Sequence, residues 1–105
     1  STATTMKIRD NGVIFKVNTA SDVTMTAGSS SAYGMELYDA YGELKLFVDG
    51  GKTGTVQNIP AGVYVIKSGN TAKDAYLEYL KVSANDPNAP TVTEATTQRT
   101  LIIVT

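Results

Sequence analysis

Five lysines are the residues of this sequence whose positions most strongly indicate binding of a charged ligand. Lys16, Lys45 and Lys81 lie at alternate positions of separate apolar runs, where side chains are expected to point away from a core. Lys67 closes a fourth run, and Lys52 lies in a connecting segment. Ammonium groups pair with carboxylates, so several lysines on one face would bind an acidic polysaccharide with regularly spaced carboxylates. Lysines that are dispersed instead keep sheet edges soluble.

Two tyrosines share the outward positions predicted for the lysines. Tyr38 and Tyr64 alternate with apolar neighbours that are expected to face the core. Aromatic rings offer an apolar surface for sugar rings, and tryptophan, the usual platform, is absent from the chain. We therefore predict that Tyr38 or Tyr64 adds a stacking surface beside the lysines, although outward tyrosines are also simply favourable in β-strands.

The sequence offers little for catalysis. It contains no histidine and no cysteine, which removes the usual general base and the usual activator of a nucleophile. The serines at 29–31 therefore have no histidine to activate them, and many carboxylates lie in turn-like segments. We predict a protein that is not an enzyme and has no catalytic residue.

A structural calcium ion is the one cofactor that the carboxylates allow. The candidate ligands are Asp10 with Asn11, Asp49, and Asp86 with Asn88. Their spacing does not match a dedicated calcium loop, so ordinary turns explain these residues better than a calcium site does.

The elements that must position these side chains are short β-strands. Apolar and polar residues alternate with period two in many short runs, and turn signals such as Asp49-Gly50-Gly51 separate them. Eight or nine such strands predict an all-β chain, an antiparallel β-sandwich of the jelly-roll type. The predicted core consists of Phe15, Val23, Met25, Leu37, Leu46, Val63, Val65, Leu80 and Ile103.

Two segments depart from simple alternation. Neither parity is apolar throughout Ala75–Val82, which predicts a bulge between Leu77 and Tyr79. The polar stretch Ser83–Thr97 predicts a long connection to a last strand at Leu101–Val104, which is apolar on both faces.

Length and charge limit the classes of function. A chain of 105 residues fits one domain, residues 1–105, and 42% hydrophobic residues are enough for one core. The net charge of −1 argues against nucleic acid and anionic membranes as partners. No apolar run approaches the length of a membrane span. The chain starts at Ser1 without a signal-peptide pattern, so we expect a module of a longer, processed protein.

Three segments in order resemble a known family of modules. They are ELYDAYGELKLFV, NIPAGVYVIKSGN and AYLEYLKV, which together lie between Met35 and Val82. The chain resembles non-catalytic carbohydrate-binding modules attached to bacterial pectate lyases, of the pectin-binding family 77 type. The resemblance implies a β-sandwich that binds homogalacturonan through basic residues in place of aromatic ones.

The resemblance also implies a setting for the domain. We expect a secreted, extracellular monomer within a larger multimodular protein, which targets a plant cell-wall-degrading enzyme to pectin. The alternative is a structural or adhesion domain of Ig-like type in a bacterial extracellular protein. The two differ in whether basic side chains gather on one face.

Overall fold

The computed structural model describes residues 6–86 and two further strands at 92–95 and 101–104. These residues form ten strands and no helix, so none of them belongs to a helix that could span a membrane. The strands in chain order are β1 (Met6–Ile8), β2 (Val13–Val17), β3 (Ser21–Ala27), β4 (Met35–Asp39), β5 (Leu44–Val48), β6 (Thr53–Ile59), β7 (Gly62–Ser68), β8 (Ala75–Ala84), β9 (Val92–Ala95) and β10 (Leu101–Val104). The prediction of an all-β chain is confirmed.

The strands form two sheets that share one core. The first sheet has the order β1-β8-β3-β6, with β9 also paired to β8, and the second has the order β10-β2-β7-β4-β5. Neighbouring strands are antiparallel except for β10, which pairs with β2 in parallel. A single apolar cluster takes buried side chains from both sheets, an arrangement compatible with a β-sandwich.

Alternation of side chains places the core as the sequence predicts in most strands. In β2, for example, Phe15 is buried while Lys16 is exposed. The predicted core residues that are buried are Phe15, Val23, Met25, Leu37 and Leu80. Leu46 is partly buried against the same cluster, and the side chain of Ile103 lies outside the described residues.

The predicted orientation of β7 is wrong. Val63, predicted to be in the core, is 40% exposed, and Val65 is only partly buried. Tyr64, predicted to point outward, is buried together with Ile66. Tyr64 is paired with Phe15 on β2, and its hydroxyl donates a hydrogen bond to the carbonyl oxygen of Pro60. Burying the larger side chains removes more apolar area from water, and this hydrogen bond satisfies the one polar atom that goes with them.

The alternation of side chains is interrupted in β5. Leu37 pairs with Leu46, but the next residue of β4, Tyr38, pairs with Leu44, which leaves Lys45 without a partner on β4. This irregularity shifts the alternation of the strand. Leu44 is therefore 48% exposed, although it alternates with Lys45 and Leu46 in the sequence, whereas Val48 at the other end of β5 is buried.

The irregularity predicted in β8 is confirmed. Thr26 of β3 pairs with Tyr79 and Ala27 pairs with Leu77, so Glu78 is the extra residue of a bulge. The bulge allows Leu77 and Leu80 to be buried on the same face of the strand. The segment predicted as a long connection differs, because β8 extends to Ala84 and β9 pairs with it.

The orientation of β7 can be tested by two matched truncations in that strand. We expect Ile66→Ala to lower the free energy of unfolding by about 2–5 kcal/mol, because it leaves a cavity in the core. Val63→Ala removes a side chain from an exposed position, so its effect should stay near 0.5 kcal/mol, as at other surface sites. Urea denaturation of both variants measures the difference. A larger loss for Val63→Ala than for Ile66→Ala would contradict the orientation described.

Candidate functional site

The outer face of the second sheet carries a row of side chains that crosses four strands. Ile14 pairs with Val65, Val65 with Tyr38, and Tyr38 with Leu44, so these four residues form what we call the crossing row. Ile14 and Leu44 are both exposed. Large apolar side chains gathered on one exposed face are typical of a binding surface.

Two of the predicted lysines lie on this face, on opposite sides of the crossing row. Lys16 of β2 pairs with Val63, and Lys67 of β7 pairs with Glu36. Both lysines are exposed, and neither forms an ion pair within the described part of the chain. Lys67 is four residues beyond Val63, so the backbone positions of the two lysines are about 13 Å apart along the strands.

Tyr38 supports one of these lysines. The Nζ atom of Lys67 lies 5.6 Å from the centroid of the Tyr38 ring. The Tyr38 hydroxyl donates a 2.6 Å hydrogen bond to Oε1 of Glu36, which raises the pKa of the tyrosine. A cation over an aromatic face is attracted to it, so Tyr38 holds the ammonium group of Lys67 over the sheet. Its ring therefore interacts with a lysine, and its role as a stacking surface for a sugar stays a prediction.

Lys45 is already paired with carboxylates of its own hairpin. Its Nζ atom contacts Oε1 of Glu43 and lies 3.8 Å from Oδ2 of Asp39. The hydrogen bond to Glu43 is the main cause that raises the pKa of Lys45. The charge of Lys45 is therefore less available to a ligand than the charges of Lys16 and Lys67.

Asp39 organises the turn that joins β4 to β5. Its Oδ1 atom accepts hydrogen bonds of 2.9 Å from the backbone amides of Glu43 and Tyr41. These bonds favour the ionised carboxylate and lower the pKa of Asp39. Tyr41, on the same turn, is 96% exposed.

The other predicted site residues do not join this face. Lys81 pairs with Thr24 on the first sheet, and Lys52 is exposed in the turn before β6. Tyr64 is buried, with 2% of its surface exposed, so its ring is not an exposed stacking platform. Only Lys16, Lys67 and Tyr38 of the predicted set come together.

Sequence reasoning missed the exposed apolar residues that accompany the lysines. Ile14, Leu44 and Val63 were assigned no role in a site, yet they lie on the same face as Lys16 and Lys67. A usable signal was that β2, β5 and β7 each carry apolar residues on both parities. Such strands need cover on two sides or leave apolar residues exposed.

The predicted metal and serine positions are also placed by the structure. No group of three or more acidic, histidine or cysteine residues within the described ranges could hold a metal ion, and Asn88 lies outside those ranges. Ser29 and Ser30 are exposed. Ser31 is buried, and its Oγ atom accepts a 2.8 Å hydrogen bond from the amide of Tyr76.

Comparison of the chain with protein-family models, with curated proteins and with solved structures finds no match. The function of the chain is therefore inferred from the chemistry of its surfaces.

The turn at Asp39 has a testable electrostatic consequence. Its folded pKa is lower than the ordinary value of 3.8, so the stability that its ionisation contributes is present above that pH and is lost as the pH falls through the folded pKa. An NMR titration of the Asp39 carboxyl carbon should have its midpoint below 3.8.

The variant Lys45→Met separates the causes of this shift. It removes the charge of Lys45 but leaves the hydrogen bonds that the amides of Glu43 and Tyr41 donate to Asp39. The hydrogen bond from the Glu43 amide is the largest cause of the lowered pKa of Asp39. The midpoint should therefore rise only part of the way to 3.8. A midpoint at or above 3.8 in the unmodified protein would show that the turn does not stabilise the carboxylate.

Proposed function

We propose that the chain is a non-catalytic carbohydrate-binding domain whose ligand is an acidic plant cell-wall polysaccharide, homogalacturonan. The observation that carries the proposal is the pair Lys16 and Lys67, on opposite sides of the crossing row and without ion pairs within the described residues. A polyuronate presents carboxylates at regular intervals along a chain of sugar rings. The proposed face offers ammonium groups with apolar surface between them.

The spacing of the lysines sets the size of the ligand. About 13 Å separates their backbone positions along the strands, so one sugar unit does not reach both ammonium groups, and a chain of several units does. Each exposed charge contact contributes about 0.2–1 kcal/mol. Binding through two such contacts is therefore modest in affinity and weakens as salt screens the charges.

The position of Lys67 favours contact with an anion. Its ammonium group lies over the Tyr38 ring, which restricts a flexible side chain without consuming its charge. Less conformational freedom is then lost when a carboxylate binds. Glu36, the register partner of Lys67, accepts the hydrogen bond of Tyr38 and forms no ion pair with Lys67.

The proposal extends to the setting of the domain. The chain is then a single domain, a β-sandwich of the jelly-roll type. It is secreted as part of a larger multimodular protein, in which it is monomeric. Its role there is to keep a pectin-degrading enzyme close to the plant cell wall. A net charge of −1 favours neither nucleic acid nor an anionic membrane as a partner.

One observation favours a second candidate function, that of a structural or adhesion domain of Ig-like type. Ile14, Leu44 and Phe47 are all exposed on the outer face of the second sheet. Exposed apolar and aromatic residues are enriched in the cores of protein–protein interfaces. This candidate predicts binding that depends on these residues and is insensitive to the charge of Lys16 and Lys67.

Alanine substitution of the two lysines tests the proposed binding face. We expect Lys16→Ala and Lys67→Ala each to weaken binding of polygalacturonate by about 1.4- to 5-fold, the loss of one exposed charge contact. Isothermal titration calorimetry at low salt measures the effect. Lys81→Ala is the matched control, because it removes the same charge from the other sheet and should leave the affinity unchanged.

The ligand can be varied in the same experiment. Methyl esterification of the polysaccharide removes its charge, and added salt screens it, so both should weaken binding. Binding that is indifferent to salt, to esterification and to both lysine substitutions would refute the electrostatic mechanism. Equal losses for Lys81→Ala and Lys67→Ala would refute the assignment of the face.

The absence of catalysis is a separate prediction. The chain has no histidine and no cysteine, and we expect the purified protein to leave polygalacturonan intact. Absorbance of unsaturated products, together with an assay of new reducing ends, detects lyase and hydrolase activity. Release of either kind of product, at a rate proportional to protein concentration, would overturn this prediction.

A further inference from the structure

A cleft on the first sheet is lined entirely by residues outside the lysine face, which is the outer surface of the second sheet that carries Lys16, Lys67 and the crossing row. It has a volume of about 170 Å³ and is lined by Gly28, Ser29, Ser30, Tyr76 and Glu78. Pockets for drug-sized ligands are larger, about 300–1,000 Å³. The cleft is therefore of a size for one small unit, such as a single sugar ring.

The β8 bulge and two hydrogen bonds build the walls of this cleft. Glu78 is the bulged residue, and its side chain is only partly exposed. The amide of Gly28 donates a 2.7 Å hydrogen bond to the carbonyl oxygen of Tyr76, and the amide of Tyr76 donates a 2.8 Å bond to Oγ of Ser31. These bonds fix the loop after β3 against β8, so the cleft is largely formed before a ligand binds.

Gly28 leaves the room in which the carboxylate of Glu78 lies. A Cβ atom at this position would lie 2.9 Å from Oε2 of Glu78 and 3.1 Å from Cβ of Tyr76. Both contacts are closer than ordinary van der Waals contact, so any larger residue would displace the carboxylate. The cleft therefore depends on glycine at position 28.

The carboxylate of Glu78 gives the cleft its chemistry. It forms no ion pair and accepts no hydrogen bond from the described residues. An ionised carboxylate is a pure acceptor with two oxygens, while the hydroxyls of Ser29 and Ser30 both donate and accept. Two adjacent hydroxyls of a sugar can donate to the two carboxylate oxygens and exchange hydrogen bonds with the serines.

We propose that this cleft binds one neutral sugar unit through a pair of adjacent hydroxyl groups. Glu78 accepts hydrogen bonds from the pair, Ser29 and Ser30 bind the neighbouring oxygens, and Tyr76 supplies the remaining wall. The ligand is neutral because the carboxylate of a uronate would repel that of Glu78. Lys7, the register partner of Tyr76, is exposed nearby but forms no ion pair with Glu78.

The donor set argues against a metal ion as the occupant. Calcium takes six to eight oxygen ligands, usually with several carboxylates, and Glu78 is the only carboxylate among the residues that line this cleft. An ammonium group remains a chemical alternative, because it also donates hydrogen bonds to a carboxylate. The experiment includes it as a probe.

The cleft and the lysine face are tested separately. The cleft lies on the first sheet and the lysine face lies on the second, so the proposal for each site can be confirmed or refuted independently of the other. Loss of polyuronate binding in Lys16→Ala or Lys67→Ala says nothing about the cleft. Conversely, binding of a neutral sugar at the cleft says nothing about the lysines.

The test uses NMR of the full chain labelled with nitrogen-15. The neutral probes are the methyl glycosides of glucose, galactose, xylose and arabinose, and the charged probes are methyl galacturonide and methylammonium. We expect at least one neutral glycoside to shift the amide signals of Gly28, Ser29 and Ser30. Methyl galacturonide should leave them unchanged, and methylammonium, which has no hydroxyls for Ser29 and Ser30, should shift them less than the neutral glycoside. Glu78→Gln should weaken the neutral glycoside about tenfold, because it removes charge-assisted hydrogen bonds while keeping the shape of the side chain.

Two further variants complete the design. Gly28→Ala should also weaken binding, since its Cβ atom would displace the carboxylate of Glu78. Glu43→Gln removes the same charge from the β4–β5 turn and should have no effect on the cleft. The proposal is overturned if no neutral glycoside shifts these amides, if Glu78→Gln binds as tightly as the unmodified chain, or if a charged probe shifts them as strongly.

Discussion

The contact between Phe15 and Tyr64 determines which side chains of the second sheet face outward. The two rings are stacked with centroids 5.8 Å apart, on paired positions of β2 and β7. Because side chains alternate along each strand, burial of this pair sends Lys16 and Lys67 to the opposite face. A slip of one residue would bury both ammonium groups without partners, at a large cost in free energy. The lysine face therefore exists because an aromatic pair inside the core holds the register.

Period-two patterning predicted the all-β architecture and five of the core residues, because a strand with one apolar face has one favourable orientation. Phe15 and Val23 were placed correctly for that reason. β7 was misjudged because both of its parities are apolar. The orientation is decided by the packing of Tyr64 on Phe15, which is distant in sequence, and by the hydrogen bond of the Tyr64 hydroxyl to Pro60. The two bulges differ in how far the sequence predicts them. The one at Glu78 was visible as broken alternation, whereas the one at Lys45 interrupts a strand whose pattern looked regular.

The alternation of residues along a strand could not predict which side chains of different strands lie close together. Parity assigns a residue to one of two faces of its own strand, but strand order decides which strands are neighbours. β2, β7 and β4 are adjacent, which joins Lys16, Lys67 and Tyr38, while Lys81 belongs to the other sheet. The cleft at Glu78 was hidden for a related reason. Its walls come from β8 and the loop after β3, which become neighbours only through the first sheet.

The parallel pairing of β10 with β2 has a consequence for the order of folding. Leu101 is paired with Ile14, so this contact closes a loop that contains most of the chain. Closing such a long loop costs chain entropy before the contact between the two strands stabilises the fold. Long-range pairing of this kind therefore forms slowly. Until β10 docks, β2 presents an unpaired edge that can act as a template for a strand of another molecule. We therefore expect partly folded chains that lack this pairing to be more prone to self-association than the folded protein.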